Sequence, residues 1–237
     1  MPITIICECG INHLGRLSLV REMIIKAKEI GADIAKFQLY DVDTLFPDGQ
    51  IMAQGINWYS EVKKTQLSKE QIFKVAEWCK EFGIELMASA FDLERLSWLE
   101  EIGVNRYKIA SRSINDVELI EAIKKTGKQV IASVPYGTTE HELYRLEQVS
   151  PLYCVPEYPA DPIGYNLKDI SWNQYSGISD HTEGIGTAMI AMARGAKIIE
   201  KHFTLSRKMP GPDQICSAHP WEMKQLVRFA RKCEEIL

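Results

Sequence analysis

An eight-stranded (β/α)8 barrel of the TIM type is the fold this sequence predicts, and three observations lead to it. Short apolar runs of strand length recur along the whole chain, separated by amphipathic stretches of helix length. From the third run onward they begin at Ile84, Arg106, Gln129, Leu152, Gln174 and Ala196, 22 or 23 residues apart, which fits one short strand plus one helix per unit. Most runs show little polar–apolar alternation, as expected of strands covered on both faces. A doubly wound sheet shares these features, but no GxGxxG or phosphate-binding loop follows the first run.

The elements follow in order. Strands are expected from Ile3 (ITIIC) and Asp33 (DIAKFQL), with a helix between them, LVREMIIKAKEIG, that stops at Gly31. A long excursion from Asp41 to Ser68 interrupts the rhythm. It carries Phe46, Trp58 and Tyr59 and is expected to form a rim or lid, or else to pack on the outside. Ser68, with Glu70 and Gln71 behind it, opens a helix that closes at Gly83. LERLSWLEEIG, VELIEAIKKTG, EHELYRLEQV and GTAMIAMARG read as the next helices. The segment EYPADPIGYNLKDI after the sixth strand is rich in Pro and Gly, so its helix should be short or distorted. An amphipathic helix from Pro220 to Leu237 ends the series, and residues 1–237 are expected to form one catalytic domain.

Composition narrows the function classes. At 46% hydrophobic the chain can bury a large core, and a net charge of −4 with pI near 5.8 does not suit a nucleic-acid or anionic-membrane surface. No apolar run reaches the roughly 18 residues of a membrane span. MPITIICECG lacks a basic leader and a cleavage site and reads as a first strand. Cys7 and Cys9 fall on one side of that strand, and Cys79, Cys154, Cys216 and Cys233 are scattered. Six buried reduced thiols in a cytoplasmic protein is the expectation.

Barrel enzymes carry their chemistry at the C-terminal ends of the strands. Here those ends hold Glu8, Lys36 with Gln38, Ser89, Lys108 with Ser111, Ser133, Tyr158, Ser179 with His181, and Glu200 with His202. An ordinary core would not place so many polar groups there. Two buried lysines suit an anion such as phosphate or carboxylate, since each is otherwise an uncompensated charge; a structural network with Glu8 or Glu200 is the alternative. Imidazoles at the ends of the seventh and eighth strands can hold a divalent metal, with open positions for water or substrate. Asp213, in the turn MPGPD, either joins them or caps its turn. His13, His141 and His219 are weaker candidates.

CECGINHLG, GADIAKFQ, YKIAS, SDHTEGIG and GAKIIEKHFTL with MPGPD together resemble the barrel domain of the sialic acid synthase family, the synthases of N-acetylneuraminic, legionaminic and pseudaminic acids. The resemblance implies condensation of phosphoenolpyruvate with an N-acetylated hexosamine aldehyde, giving a nine-carbon 2-keto acid and phosphate. It implies that His181 and His202 hold Mn2+ or Mg2+. It sets Lys36, Ser89, Lys108, Ser111, Ser179 and His181 around phosphoenolpyruvate, and Glu8, Gln38, Tyr158 and Asp213 toward the sugar. Glu8, Lys36, Lys108 and His181 are thus the candidate catalytic residues, with Glu8 or a metal-held water transferring the proton.

Three departures from the family pattern fall mainly on the sugar side. Ser113, preceded by Arg112, stands where many members have a carboxylate. Pro156 stands where an asparagine near phosphoenolpyruvate is common, and Ala90 replaces a usual proline. The sequence also stops at Leu237, without the family's C-terminal antifreeze-like domain, so a contact from that domain is expected to be absent or to come from another polypeptide; a homo-oligomer or a separate partner chain is open. The same reaction on another aldose and a non-catalytic metal- and anion-binding subunit are the alternative functions.

Overall fold

The computed structural model describes residues 2–138 and 148–236. Eight parallel strands close into a barrel in chain order: β1 (Thr4–Gly10), β2 (Ile34–Leu39), β5 (Glu85–Ala90), β6 (Arg106–Ile109), β7 (Gln129–Pro135), β8 (Val149–Cys154), β9 (Gly177–Asp180) and β10 (Ile198–His202), which returns to β1. The two remaining strands, β3 (Met52–Ala53) and β4 (Ile56–Asn57), form a small antiparallel hairpin inside the 41–68 excursion. The fold is the (β/α)8 barrel that the spacing predicts.

The helices form where the local signals place them. Helix α1 (Leu17–Glu29) is followed by Gly31 at φ +84°. The excursion adds two short helices, α2 (Val42–Leu45) and α3 (Tyr59–Lys63). Helix α4 (Lys69–Phe82) starts in a complete capping box between Ser68 and Gln71, which satisfies backbone groups at its open end. Helices α5 (Leu93–Ile102) and α6 (Val117–Lys125) are capped by Asp92 and Asp116. Helices α7 (Gly186–Ala193) and α8 (Pro220–Ile236) complete the ring.

Most of the helix expected over 140–149, with His141, lies outside the described residues; Val149 already belongs to β8. After β8 the expected distorted helix is two 3-10 turns, Pro162–Tyr165 and Leu167–Asp169. Two strands are shifted from the sequence reading: β8 starts three residues before Leu152, and β9 three residues after Gln174.

Alternation along each strand sorts the interior. Ile5, Cys7, Ala35, Phe37, Leu86, Ala88, Tyr107 and Ile109 face the helices in the main core. Ile6, Ile34, Met87, Ile131, Leu152 and Ile198 fill the barrel as an apolar plug. Two residues further along the same inward rows stand Glu8, Lys36, Ser89, Ser133 and Glu200, all buried. The plug separates these polar groups from the Arg106–Glu85 ion pair at the starts of β6 and β5 and leaves them facing the mouth.

Strand β9 is held against β10 by a very close backbone approach. A Cβ at Gly177 would stand 1.7 Å from the Ile198 carbonyl oxygen, so no other residue fits without moving a strand. Gly177→Ala should lower stability by about 3 kcal/mol or more, read as a drop in the urea midpoint. A wild-type midpoint would contradict this packing.

Candidate active site at the C-terminal mouth

Site construction starts with charge. Lys36 Nζ lies 2.9 Å from Glu8 Oε2 and 3.6 Å from Glu200 Oε2, and Lys108 Nζ lies 3.8 Å from Glu200 Oε1. All four side chains are almost fully buried. Lys108 also donates to the Ile109 carbonyl and to Ser133 Oγ at 2.6 Å. Ser179 Oγ donates to Glu200 Oε1 at 2.6 Å, and Gln38 Nε2 donates to Glu8 Oε1 at 2.7 Å. Strand register produces this arrangement: Glu8 pairs with Lys36, Ser89 with Lys108, and Ser179 with Glu200.

The two glutamates are driven apart in acidity. Burial pushes Glu8 above the usual carboxylate range, more than Lys36 pulls it back, and the charge of Glu200 adds to the rise. Burial acts on Glu200 as well, but Lys108, Lys36 and the Ser179 hydroxyl outweigh it and hold that carboxyl at about 2. Burial works against the charge of Lys36, but Glu200 and Glu8 outweigh it and raise its pKa; burial lowers that of Lys108. Two carboxylates in one site with opposed shifts can divide the work: Glu200 as fixed counter-charge, Glu8 as the group able to hold a proton.

Above this layer stand the imidazoles, with ring centroids 5.7 Å apart. His181 Nδ1 lies 2.7 Å from the Val155 carbonyl. A carbonyl only accepts, so Nδ1 carries the proton and Nε2 keeps its lone pair. Ser179 Oγ is 3.4 Å from that Nε2, but its proton is already given to Glu200. Burial pushes His181 down to about 4, and burial with His181 alongside pushes His202 well below its ordinary value. Both rings are therefore neutral near pH 7. His202 Nδ1 is buried without a hydrogen bond, 3.8 Å from Asp213 Oδ2. Two neutral imidazoles with unengaged ring nitrogens fit a divalent metal, and no group of three or more His, Cys, Asp or Glu suited to a metal is present among the described residues. Further ligands would come from water or substrate.

Loops complete the mouth. Tyr158 lies beyond the end of β8 rather than on it, stacked on His181 at 4.2 Å and edge-on to His202 at 5.7 Å. Ser111 sits in a 3-10 turn after β6, not on the strand. Asp213 is fixed from behind: Ser217 Oγ donates to its carbonyl at 2.6 Å and accepts from Asn12 Nδ2 at 2.8 Å. A cavity of about 390 Å³ opens above these groups, walled by Gln38, Ser111, Tyr158, His202 and Asp213 on the polar side. Across from them stand Phe46, Ile51, Met52 and Ala53 of the excursion, so that segment is a rim of the mouth. Gln54 ties it there by donating to the Tyr158 and Pro212 carbonyls at 3.3 and 3.2 Å.

The barrel brings together Glu8, Lys36, Gln38, Ser89, Lys108, Ser111, Tyr158, Ser179, His181, His202 and Asp213 at this one end. Ser89 Oγ is buried and unpartnered. Of the departures, Arg112 and Pro156 line the cavity, with the Arg112 guanidinium 4.2 Å over the Phe46 ring; Ser113 and Ala90 are buried. His13 is buried beside Phe37, away from the cavity, and accepts from the Gly15 amide at 3.2 Å. His219 precedes α8 and gives its amide to Glu222. Sequence reading assigned no part to Tyr165, whose hydroxyl donates to the Ser179 carbonyl at 2.6 Å and accepts the His181 amide at 2.9 Å. Nothing in the local pattern marks it. All six cysteines are free and buried, and no helix among the described residues is long and apolar enough to cross a membrane.

Asp213 gives a pH signature. Burial, reinforced by Glu8 and only partly opposed by Lys36, pushes its carboxyl up to about 7 from 3.8. The folded state then binds the extra proton, so this contribution to stability is complete below about pH 4 and is lost as pH rises through 7. In metal-free protein, Asp213→Asn should be more stable than wild type by about 2 kcal/mol at pH 8, with the gain shrinking toward pH 4. Urea unfolding across that range, with chelator present, checks the trend.

The NeuB family model matches residues 23–237. The N,N'-diacetyllegionaminic acid synthase of Legionella pneumophila is 33% identical over 262 residues, covering all of this chain and 74% of that protein. Human N-acetylneuraminate-9-phosphate synthase is 31% identical over 256 residues, covering all of this chain and 71% of the human protein. The N-acetylneuraminic acid (sialic acid) synthetase of Leptospira borgpetersenii serovar Hardjo-bovis, crystallised with citrate, superposes with a TM-score of 0.89 at 33% identity, over 100% of this chain and 85% of that one. The chain belongs to the NeuB family.

Proposed function

We propose that residues 1–237 act as one catalytic domain that condenses phosphoenolpyruvate with the aldehyde of an N-acetylated hexosamine. The products are a sialic-acid-like 2-keto acid and phosphate. One observation carries the reading: two ammonium groups are buried directly beneath two neutral imidazoles at the mouth of a NeuB-family barrel. Carboxylate and phosphate on one small substrate would meet Lys36 and Lys108, which in the free site are matched only by Glu8 and Glu200. Ser89 Oγ, buried without a partner, and Ser111, on the cavity wall, add neutral hydrogen-bonding groups for that anion.

In the overall reaction, C3 of phosphoenolpyruvate bonds to the aldehyde carbon, whose oxygen takes up a proton. Water adds at C2 and the C2–O bond to phosphate breaks, leaving the keto group. His181 Nε2 and His202 would hold Mn2+ or Mg2+, and that ion would supply Lewis-acid polarisation of the acceptor's carbonyl oxygen. Glu8, held by Gln38 and Lys36 and raised in pKa, is the group that exchanges the proton. Glu200 stays anionic and orients Ser179 and both lysines. Gln38, Tyr158 and Asp213 bind the sugar, and the apolar face of Phe46, Ile51 and Met52 excludes water. Reduced thiols and the absence of a membrane-spanning helix among the described residues support a cytoplasmic setting.

Incubation with phosphoenolpyruvate, Mn2+ and a panel of N-acylated and plain aldoses should release phosphate and form a 2-keto acid in equal amounts, only when an acceptor is present. Phosphate release without acceptor would sink the synthase reading. Lys108→Met should reduce kcat/KM for phosphoenolpyruvate by about 100-fold or more, corresponding to loss of one charge-assisted contact. His202→Ala should abolish metal-dependent turnover, and unchanged metal dependence would remove it as a ligand.

A further inference from the structure

Outside the barrel interior, one pair of charges is buried where helices cover the strands. Asp180, the last residue of β9, and Lys201, the penultimate residue of β10, are cross-strand partners with no solvent exposure. Lys201 Nζ is 3.3 Å from Asp180 Oδ2. By alternation both point away from the cavity, while His202, the last residue of β10, lines it and His181, just past the end of β9, packs against His202 and Tyr158. No hydrogen bond joins the pair to either imidazole ring among the described residues, although the charges act on the rings through space, Asp180 on His181 and Lys201 on both.

Both charges converge on Thr182 instead. Asp180 Oδ1 accepts the Thr182 amide at 2.8 Å and its hydroxyl at 2.7 Å, and Lys201 Nζ donates to the Thr182 carbonyl. Thr182 Oγ1 lies 3.1 Å from Thr187 Oγ1 at the start of α7. The peptides on both sides of Thr182 are thus fixed by an ion pair that spans the two strands. On the cavity side, His181 is anchored by Nδ1 on Val155 and by its amide on Tyr165. His202 follows Lys201 directly, and its own carbonyl accepts the Ala218 amide at 2.7 Å.

Such a pair is a costly way to gain stability alone, because desolvating two charges offsets most of their attraction. An outward row that is otherwise apolar, Ile178 on β9 and Ile199 on β10, offers the obvious apolar replacement. We propose that Asp180 and Lys201 are positioning residues that fix the separation and orientation of the His181 and His202 rings, and thereby set the site's affinity for a divalent cation. The second half of this inference rests on the metal role given to the two histidines above; the first half does not.

The test uses the full chain with Asp180→Asn/Lys201→Met, which leaves no charge buried alone, alongside the single variant Lys201→Met, which does and is the one prone to misfold. Free Mn2+ measured by electron paramagnetic resonance gives the dissociation constant, and long-range proton–nitrogen correlation spectra of the imidazoles give the tautomer of each ring. The folded double variant should bind Mn2+ about 10- to 100-fold more weakly, the range typical of residues that orient metal ligands. The single Nδ1-protonated state of His181 should give way to a mixture. Leu119→Ala, a core truncation on α6, a helix that contributes no residue to the cavity wall, serves as the stability control and should keep both readouts at wild-type values. A wild-type Mn2+ constant in the double variant, or an equal loss in Leu119→Ala, overturns the proposal. If the wild type binds no Mn2+, the metal role fails, and the imidazole spectra alone decide the positioning: unchanged tautomers in the double variant overturn it.

Discussion

Two lysines and two glutamates occupy a level of the barrel interior that apolar side chains fill in the layer below, and the rest of the site follows from how they are matched. Lys36 bridges Glu8 and Glu200, while Lys108 leans on Glu200 and Ser133. The layer balances two ammonium groups against two carboxyl groups, which lowers the cost of burying it. The plug of Ile6, Ile34, Met87, Ile131, Leu152 and Ile198 separates it from the Arg106–Glu85 ion pair at the starts of β6 and β5, so the charged layer is open toward the mouth alone.

The opposed shifts of Glu8 and Glu200 arise from their neighbours, not from their depth. Both are buried, but Glu200 receives two lysines and a serine hydroxyl, while Glu8 shares one lysine and a glutamine amide. The same logic keeps the histidines neutral. Burial removes their protons, and carbonyl anchoring at Val155 points the His181 lone pair inward. The barrel's stacked layers thus set neutral imidazoles above and ammonium groups below.

The mouth has two walls of different character. The polar wall comes from strand ends and the loops just after them; the apolar wall comes from the 41–68 excursion, tied across by Gln54 to Tyr158 and Pro212. Arg112 on Phe46 lies at the seam between them. Of the departures from the family's common residues, Pro156 lines this cavity together with Arg112, and Ser113 and Ala90 are buried, while the charged layer retains its lysines and glutamates.

The sequence by itself determined the barrel, because a repeat of strand and helix at constant spacing can close only a few ways and inward residues recur with period two. That period also aligned Glu8, Lys36, Lys108, Glu200 and His202 on one face, so the charged layer was legible before any coordinate. Tertiary structure alone decided what lies off the strands. Tyr158 reaches the imidazoles from a loop, Tyr165 pins Ser179 and His181 from a 3-10 turn, and Asp213 is held through Asn12, some two hundred residues away in the chain. These contacts join segments whose spacing carries no period, so no local pattern encodes them. Asp180 and Lys201 fall between the two cases: a charge on the outward row of a covered strand is visible in sequence, but its partner is fixed only by the register of β9 on β10.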